Sequence, residues 1–410
     1  MNCRICETSI EAFMSFGKMP IANGFLSQEY FGREYFFEMK VASCTKCGMF
    51  QLIDQPDREK MFNEHYAFFS GTSKGMAIHF GEFAEHVKKD FLASADPFVV
   101  EIGSNDGIMM KHFVNAKIRH LGIEPSANVA QKARESGVNT VSRFFDAQCA
   151  RDIVKEYGQA DAFLGANVMC HIPYIHSIIE GMKILVKPTG IVMFEDPYLG
   201  DVIEQTTYDQ IYDEHVFLFS VSSIQYLFEQ YGMEIVDIDP HETHGGSMRY
   251  VIAHQGMRKI SDMVYRQLEK EKSMGLHRAE TYEQFRKNCE RSRDELMELL
   301  NKIRKQGHRI VGYAATSKST TIVNYCGITS EHIEFISDTT PIKQGKFSPG
   351  AHIPVKAYEE FKKKYPEYAL LFAYNHSKEI MAKEEDFMKS GGKWIVYVPR
   401  VQVLKYDFVR

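Results

Sequence analysis

From residue 98 onward, short apolar runs alternate with stretches of helical period, and this alternation leaves few folds open. Phe98–Ile102 reads as an apolar strand, 108–114 as a helix, 120–123 as a second strand and Ala127–Glu135 as a second helix. Further strands are expected at 161–164 and 190–194. Consecutive parallel strands need a long crossover, and a helix in that crossover packs on a sheet face. The order therefore predicts a parallel sheet with helices on both sides. Residues 257–306 carry few apolar runs and many charges, such as Arg286 and Glu290, and read as long surface helices laced with ion pairs. A linker is expected near Gly256. A second α/β pattern then follows, with strands at 309–313, 333–336, 369–373 and 394–398 and a helix at 317–325. A chain of 410 residues suggests two or three domains. The expected boundaries are 1–70, 71–256 and 257–410.

The first 70 residues are different. They show short aromatic runs (25–26, 35–37, 50–53) that read as brief strands, with no sustained helical period. They also hold Cys3-x-x-Cys6 and Cys44-x-x-Cys47. Two such pairs bring four thiolates to one tetrahedral ion, and zinc favours four thiolates at a closed structural site. A small segment with a thin core gains folding energy from that staple. A redox dithiol, free buried thiols or iron are the competing readings; the first two leave the matched pairing unexplained. The remaining cysteines, Cys149, Cys170, Cys289 and Cys326, are scattered and read as small buried hydrophobes. Zinc modules often bind nucleic acid, but residues 1–70 carry seven Lys/Arg against nine Asp/Glu, and the whole chain has a net charge of −5. That balance argues against a broad polyanion-binding face. The first residues lack a basic-then-apolar leader, and no apolar run reaches the ~18 residues of a membrane span, so a cytoplasmic protein without membrane contact is expected.

Three stretches carry chemistry. Glu101-Ile-Gly103-Ser-Asn105-Asp-Gly107 follows a strand and opens a helix, and small residues there let the backbone turn sharply toward a ligand. Glu124 ends the next strand, where an acid can accept hydrogen bonds from ribose hydroxyls. The spacing Glu-x-Gly-x-x-x-Gly resembles class I S-adenosylmethionine (SAM) methyltransferases more than NAD enzymes, and Phe144-Phe145-Asp146 lies where those enzymes commonly hold the adenine. In 211–215, Tyr212, Glu214 and His215 are dense in acid–base groups; histidine can act as a base near neutrality and tyrosine can donate to an oxyanion. His171 follows a strand end, the side of an open α/β sheet where ligands bind. His241 and His244 are spaced like metal ligands but read as turn residues, and no metal is expected there.

Together these pieces resemble, over essentially the full length, the zinc-containing nucleotide-sugar C-methyltransferases that build branched deoxysugars. The shared motifs are the cysteine quartet, Met19-Pro-Ile-Ala-Asn23, the 101–107 turn, Ala166-Asn167-Val with His171-Ile-Pro, Tyr212-x-Glu214-His215, His244-Gly-Gly-Ser-Met-Arg249 and Asn324-Tyr-Cys-Gly327. The resemblance implies a class I SAM-binding Rossmann-like domain, flanked by an N-terminal four-cysteine zinc domain and a C-terminal Rossmann-like α/β domain. It implies SAM contacts from Glu101, Gly103, Asn105, Gly107, Glu124 and Asn167. The implied substrate is a nucleotide-linked 4-ketosugar, carried on TDP or alternatively GDP and methylated at carbon 3 through an enolate. His215 is the implied base, directly or with Tyr212; Glu214 would hold the sugar, and His171 and Tyr66 would line the same cleft. Lys318, Lys343, Lys346 and Arg249 are the expected substrate contacts, with the turn 312–318 suited to a diphosphate. Family members often carry another glycine where this chain has Ala314. A monomer is expected. A sugar O-methyltransferase and a non-enzymatic zinc-module binding protein are the alternative functions.

Overall fold

The structure is a computed structural model and describes residues 1–57, 61 and 74–406. Tyr66 lies outside the described residues. The central sheet uses β4 (Phe98–Ile102), β5 (Arg119–Ile123), β6 (Thr140–Val141), β7 (Ala160–Ala166), β8 (Val186–Pro197), β10 (Met233–His241) and β11 (Ser247–His254), in the order β10-β11-β8-β7-β4-β5-β6. Strands β8 to β6 pair in parallel, and β11 and β10 add antiparallel at the other edge. All five residues of β4 are buried, as a strand covered on both faces must be. The antiparallel edge departs from the all-parallel expectation. Residues 242–246 hold only a short 3-10 turn, too little chain for the helical crossover a parallel pair requires.

The N-terminal sheet runs β1 (Met14–Pro20), β2 (Phe36–Ser43), β3 (Phe50–Leu52) and β9 (Phe217–Leu218). Its last strand comes from the middle of the chain, paired Phe50 to Leu218 and Gln51 to Phe217. The strand expected at 25–26 reduces to one bridge, Leu26 to Phe347, because its partner belongs to the last third of the chain. The third sheet, β14-β13-β12-β15-β16-β17, uses β12 (Ile310–Tyr313), β13 (Ile336–Asp338), β14 (Val355–Ala357), β15 (Tyr368–Leu371), β16 (Lys393–Val396) and β17 (Gln402–Leu404). It is parallel except for β17.

Between the two parallel sheets, Asp262–Met274 and Ala279–Lys305 form the charged helices anticipated from composition. Their inward positions, including Phe285, Leu296 and Leu300, join the same core as the N-terminal and central sheets. Among the described residues no helix is long and apolar enough to cross a membrane.

Candidate active site

Each cysteine pair closes a tight turn that ends in a left-handed residue. Glu7 (φ 57°) donates its N–H to Cys3 O at 3.0 Å, and Gly48 (φ 71°) donates to Cys44 O at 2.8 Å. The two turns face each other: Cys3 and Cys47 Sγ are 3.5 Å apart, Cys6 and Cys44 Sγ 3.4 Å, and all four sulfurs lie within 4.8 Å of one another. A tetrahedral ion with Zn–S bonds of about 2.3 Å separates its sulfurs by about 3.8 Å, so the four thiolates fit zinc. Ile5 N–H and Gln51 Nε2 also point at Cys3 Sγ (3.4 and 3.1 Å), donors suited to a thiolate.

A cavity of about 400 Å³ opens at the carboxyl ends of β4, β5 and β7 and reaches to the third sheet. The 101–107 turn forms its floor. Gly103 (φ 60°) admits no side chain, because a Cβ would come within 2.6 Å of Val168 Cγ2; at Gly107 (φ 79°) the clash is with Val138, at 2.7 Å. Asn105 is also left-handed (φ 49°). Glu124 spans the turn, accepting from Asn105 N (3.1 Å) and Ser126 N (2.8 Å). Burial raises its pKa, against these two hydrogen bonds. Glu101 lies fully buried behind the turn, outside the cavity lining, and burial with Glu124 and Asp106 nearby pushes its carboxyl far up. Gly107 is outside the lining as well, so these two residues shape the turn from behind. Asn167 lines the cavity in a left-handed conformation (φ 56°), and its buried Oδ1 has no hydrogen-bond partner among the described residues. Phe144 and Phe145 line the same end. A left-handed glycine turn, a pinned acid at the next strand end and a free buried acceptor fit the amino-acid and ribose parts of SAM.

Midway, Tyr212 and Glu214 reach the cavity wall. Tyr212 OH is 2.7 Å from His215 Nε2, and His215 Nδ1 is 2.7 Å from the Gln210 carbonyl oxygen. A carbonyl only accepts, so Nδ1 carries the proton, Nε2 is the acceptor and Tyr212 donates to it. His215 itself is absent from the lining. Burial, with Glu214 close by, holds the Tyr212 hydroxyl well above its ordinary pKa, so it remains a phenol. His171 also lines the wall; its ring lies 5.2 Å from that of His215, and burial lowers its pKa to about 3, keeping it neutral. The segment is clamped from three parts of the chain. Ala22 N donates to Asp213 Oδ1 (3.0 Å), Thr321 Oγ1 to Ile211 O (2.9 Å) and Gln55 Nε2 to Asp213 O (3.1 Å).

The far end is cationic. Lys318 and Lys343 line it with His376, beside the turn after β12. Lys318 is fully buried, which lowers its pKa to about 8 against the opposing pull of Asp209. Lys343 Nζ donates to Ala315 O (2.8 Å), and burial lowers its pKa too. Asp338, at the end of β13, accepts from Ala315 N and Thr340 N, both at 2.7 Å. Ala314 takes the left-handed conformation (φ 72°) that glycine adopts without strain.

Two expected substrate contacts are placed elsewhere. Lys346 is outside the lining. Arg249 is buried and hydrogen-bonds Glu195 Oε2 through Nε (3.1 Å) and Nη2 (2.8 Å), because β11 pairs with β8 and sets the two residues side by side. Sequence reading gives no role to Asn23, which lines the cavity and donates to Glu214 Oε1 at 2.6 Å, nor to Asp338. The signal for Asp338 is present: it ends a second strand after a glycine-bearing turn, as Glu124 does.

The central sheet, its turn and acid, together with the cysteine quartet, define a class I SAM-dependent methyltransferase with a structural zinc module. Family models match a zinc binding domain at 3–62, a methyltransferase domain at 77–238 and a C-methyltransferase C-terminal domain at 242–399. Over 409 residues the chain is 31% identical to the C-methyltransferase NovU of Streptomyces niveus, spanning 99% of this chain and 97% of that protein. The chain belongs to this C-methyltransferase family. Among solved structures, a SAM-dependent methyltransferase from Anabaena variabilis overlays 44% of this chain and 86% of its own (18% identity, TM-score 0.35). The magnesium protoporphyrin IX methyltransferase ChlM of Synechocystis, solved with bound SAM, overlays 44% and 80% (12% identity, TM-score 0.34).

Proposed function

We propose that this enzyme methylates carbon 3 of a TDP-linked 4-keto-6-deoxysugar. The observation that carries the reading is the Tyr212–His215 pair at the cavity wall, set between an acid-lined turn and a lysine-lined one. A 4-keto group acidifies the hydrogen on the neighbouring carbon. In this reading that proton passes to Tyr212 Oη while the phenol proton passes to His215 Nε2. The C–H electron pair moves into an enolate, and the new imidazolium is steadied by the Gln210 carbonyl on Nδ1. The base therefore acts through Tyr212 rather than by direct contact. Neutral His171 is suited to donate to the enolate oxygen, and Glu214, oriented by Asn23, to hold a sugar hydroxyl. When bound, SAM would supply an electrophilic methyl group on its sulfonium; as the enolate carbon took it, the C–S pair would stay on sulfur and S-adenosylhomocysteine would leave. Lys318, Lys343 and the turn after β12 hold the diphosphate.

The test is mass spectrometry of protein incubated with labelled SAM and TDP- or GDP-linked 4-ketosugars. Label on ring carbon 3 of the TDP sugar is expected, as is deuterium exchange at that carbon without SAM. Label on oxygen with no exchange would overturn the reading in favour of O-methylation, and transfer only in the GDP series would replace the carrier.

A further inference from the structure

The motif ending in Arg249 remains without a role in the chemistry above, and its position suggests one. Helix Lys74–Asp90 lies across the cofactor end of the cavity, which Met76 and Phe80 line. Its second half is secured by apolar packing: Phe83, Ala84 and Val87 are buried with Met110 and Phe113. Its first half is held more lightly: it adds Phe80 to that cluster, with half-buried Met76 packed against it. From residue 75 to 80 every position is exposed or half-buried except Phe80. On the same face, at the three- and four-residue spacing that aligns side chains, stand His79 and Phe83. His79 Nε2 is 2.7 Å from Glu195 Oε1, and the Arg249 guanidinium lies 4.0 Å from the Phe83 ring centre while pairing with Glu195 Oε2. Glu195 also acts through its backbone: its carbonyl accepts from Asn167 N at 2.6 Å, holding the left-handed residue that lines the cofactor end.

We propose that Glu195, with His79 and Arg249, is a positioning latch for SAM. It ties the covering helix to the end of β8, next to the residue that fixes the Asn167 loop. Burial opposes ionisation of Glu195, but His79, Arg249 and His241 outweigh it and bring its pKa to about 2, so this carboxylate stays charged at neutral pH. The side chains touch neither reacting atom. Their effect falls on cofactor affinity, with the wall chemistry 211–215 left in place. A divalent cation is the rival occupant, since His79, Glu195 and His241 offer ligand atoms within 4.8 Å. Arg249, 2.8 Å from Glu195, already supplies the compensating positive charge there.

The experiment compares H79Q, E195Q and R249K with the native full-length zinc-loaded protein, using S-adenosylhomocysteine and TDP as binding probes. Loss of one charge-assisted tether is expected to weaken S-adenosylhomocysteine binding about tenfold in H79Q and E195Q, with partial recovery in R249K. TDP affinity, and kcat at saturating SAM, should stay within about twofold. Hydrogen exchange across 75–82 should quicken in both variants and return to native rates under saturating S-adenosylhomocysteine. Native cofactor affinity in H79Q would overturn the latch. So would equal losses for both probes with a lowered Tm, which mark a purely structural role. Loss of a second metal equivalent in H79Q would overturn it in favour of a cation site. If E195Q does not fold, H79Q on the helix's outer half still decides.

Discussion

Two strand–turn–helix units face the same cavity, and they are built alike but lined by ionisable groups of opposite type. After β4, Glu124 at the next strand's end accepts from the backbone N–H groups of Asn105 and Ser126. After β12, Asp338 at its next strand's end accepts from Ala315 and Thr340. The backbone scheme is shared. Around the first turn the buried ionisable groups are acids: Glu101, Asp106 and Glu124. Around the second, Lys318, Lys343 and His376 join Asp338 on the lining. Burial disfavours charge on these groups, Glu101 above all, so the turns differ in the polar partner they offer: carboxyl groups at the first, amines at the second. A turn of carboxyl acceptors suits ribose hydroxyls, and a lysine-bearing turn suits an anionic diphosphate. Fold alone would not distinguish them; the side chains do.

The sharpest test of that division removes the group between the turns. Y212F and H215A should each lower kcat by about 10²- to 10⁴-fold, the usual contribution of general acid–base catalysis. Calorimetry should still find both S-adenosylhomocysteine and TDP bound. Loss of either ligand would place these residues in binding instead.

A substitution confined to the first turn should separate the two sites. G103A forces a Cβ into Val168 and an L-residue into φ 60°, a strain of about 1–3 kcal/mol at the turn. Cofactor affinity should fall roughly 10- to 100-fold, with TDP affinity unchanged in the same titrations.

For the second turn, pH is the probe. Lys318 loses its proton near pH 8, and only the protonated form attracts a diphosphate. TDP binding should therefore weaken as pH rises from about 7 to 9, by several-fold for one lost charge contact. K318M should remove that dependence and bind TDP weakly throughout. Cofactor binding should follow neither trend.

The smallest effect belongs to Ala314. A left-handed alanine is strained by about 1–2 kcal/mol, partly offset by the entropy of a freer glycine. A314G should raise Tm by a few degrees or less without changing turnover; a loss of stability would mean that the methyl group is needed for packing.

Local and repetitive features are the ones legible along the chain. The strand–helix alternation, both glycine or alanine turns and the cysteine pairs each depend on neighbours within a few residues. Ala127–Glu135 matches its expected bounds, and the strand read at 120–123 falls within β5. Edges are less legible. The strand expected at 333–336 sits at Ile336–Asp338, a shift that hides Asp338 as a strand-end acid.

The amino-acid sequence by itself determined the fold class and the four-cysteine cluster that fits zinc, and it marked the glycine turn and the acid–base residues on which the proposed function rests, because residue type and short spacing decide such features. Tertiary structure alone decided who touches whom. It seats β9 against β3, so the first 57 residues share a sheet with the segment just after the Tyr212–His215 loop. It hands Asn23 to Glu214, 191 residues away, and puts Tyr212 rather than His215 on the cavity wall. It gives Arg249 to Glu195 rather than to a substrate. Contacts of that range follow from strand register and packing around a common core, and no periodicity along the chain encodes them.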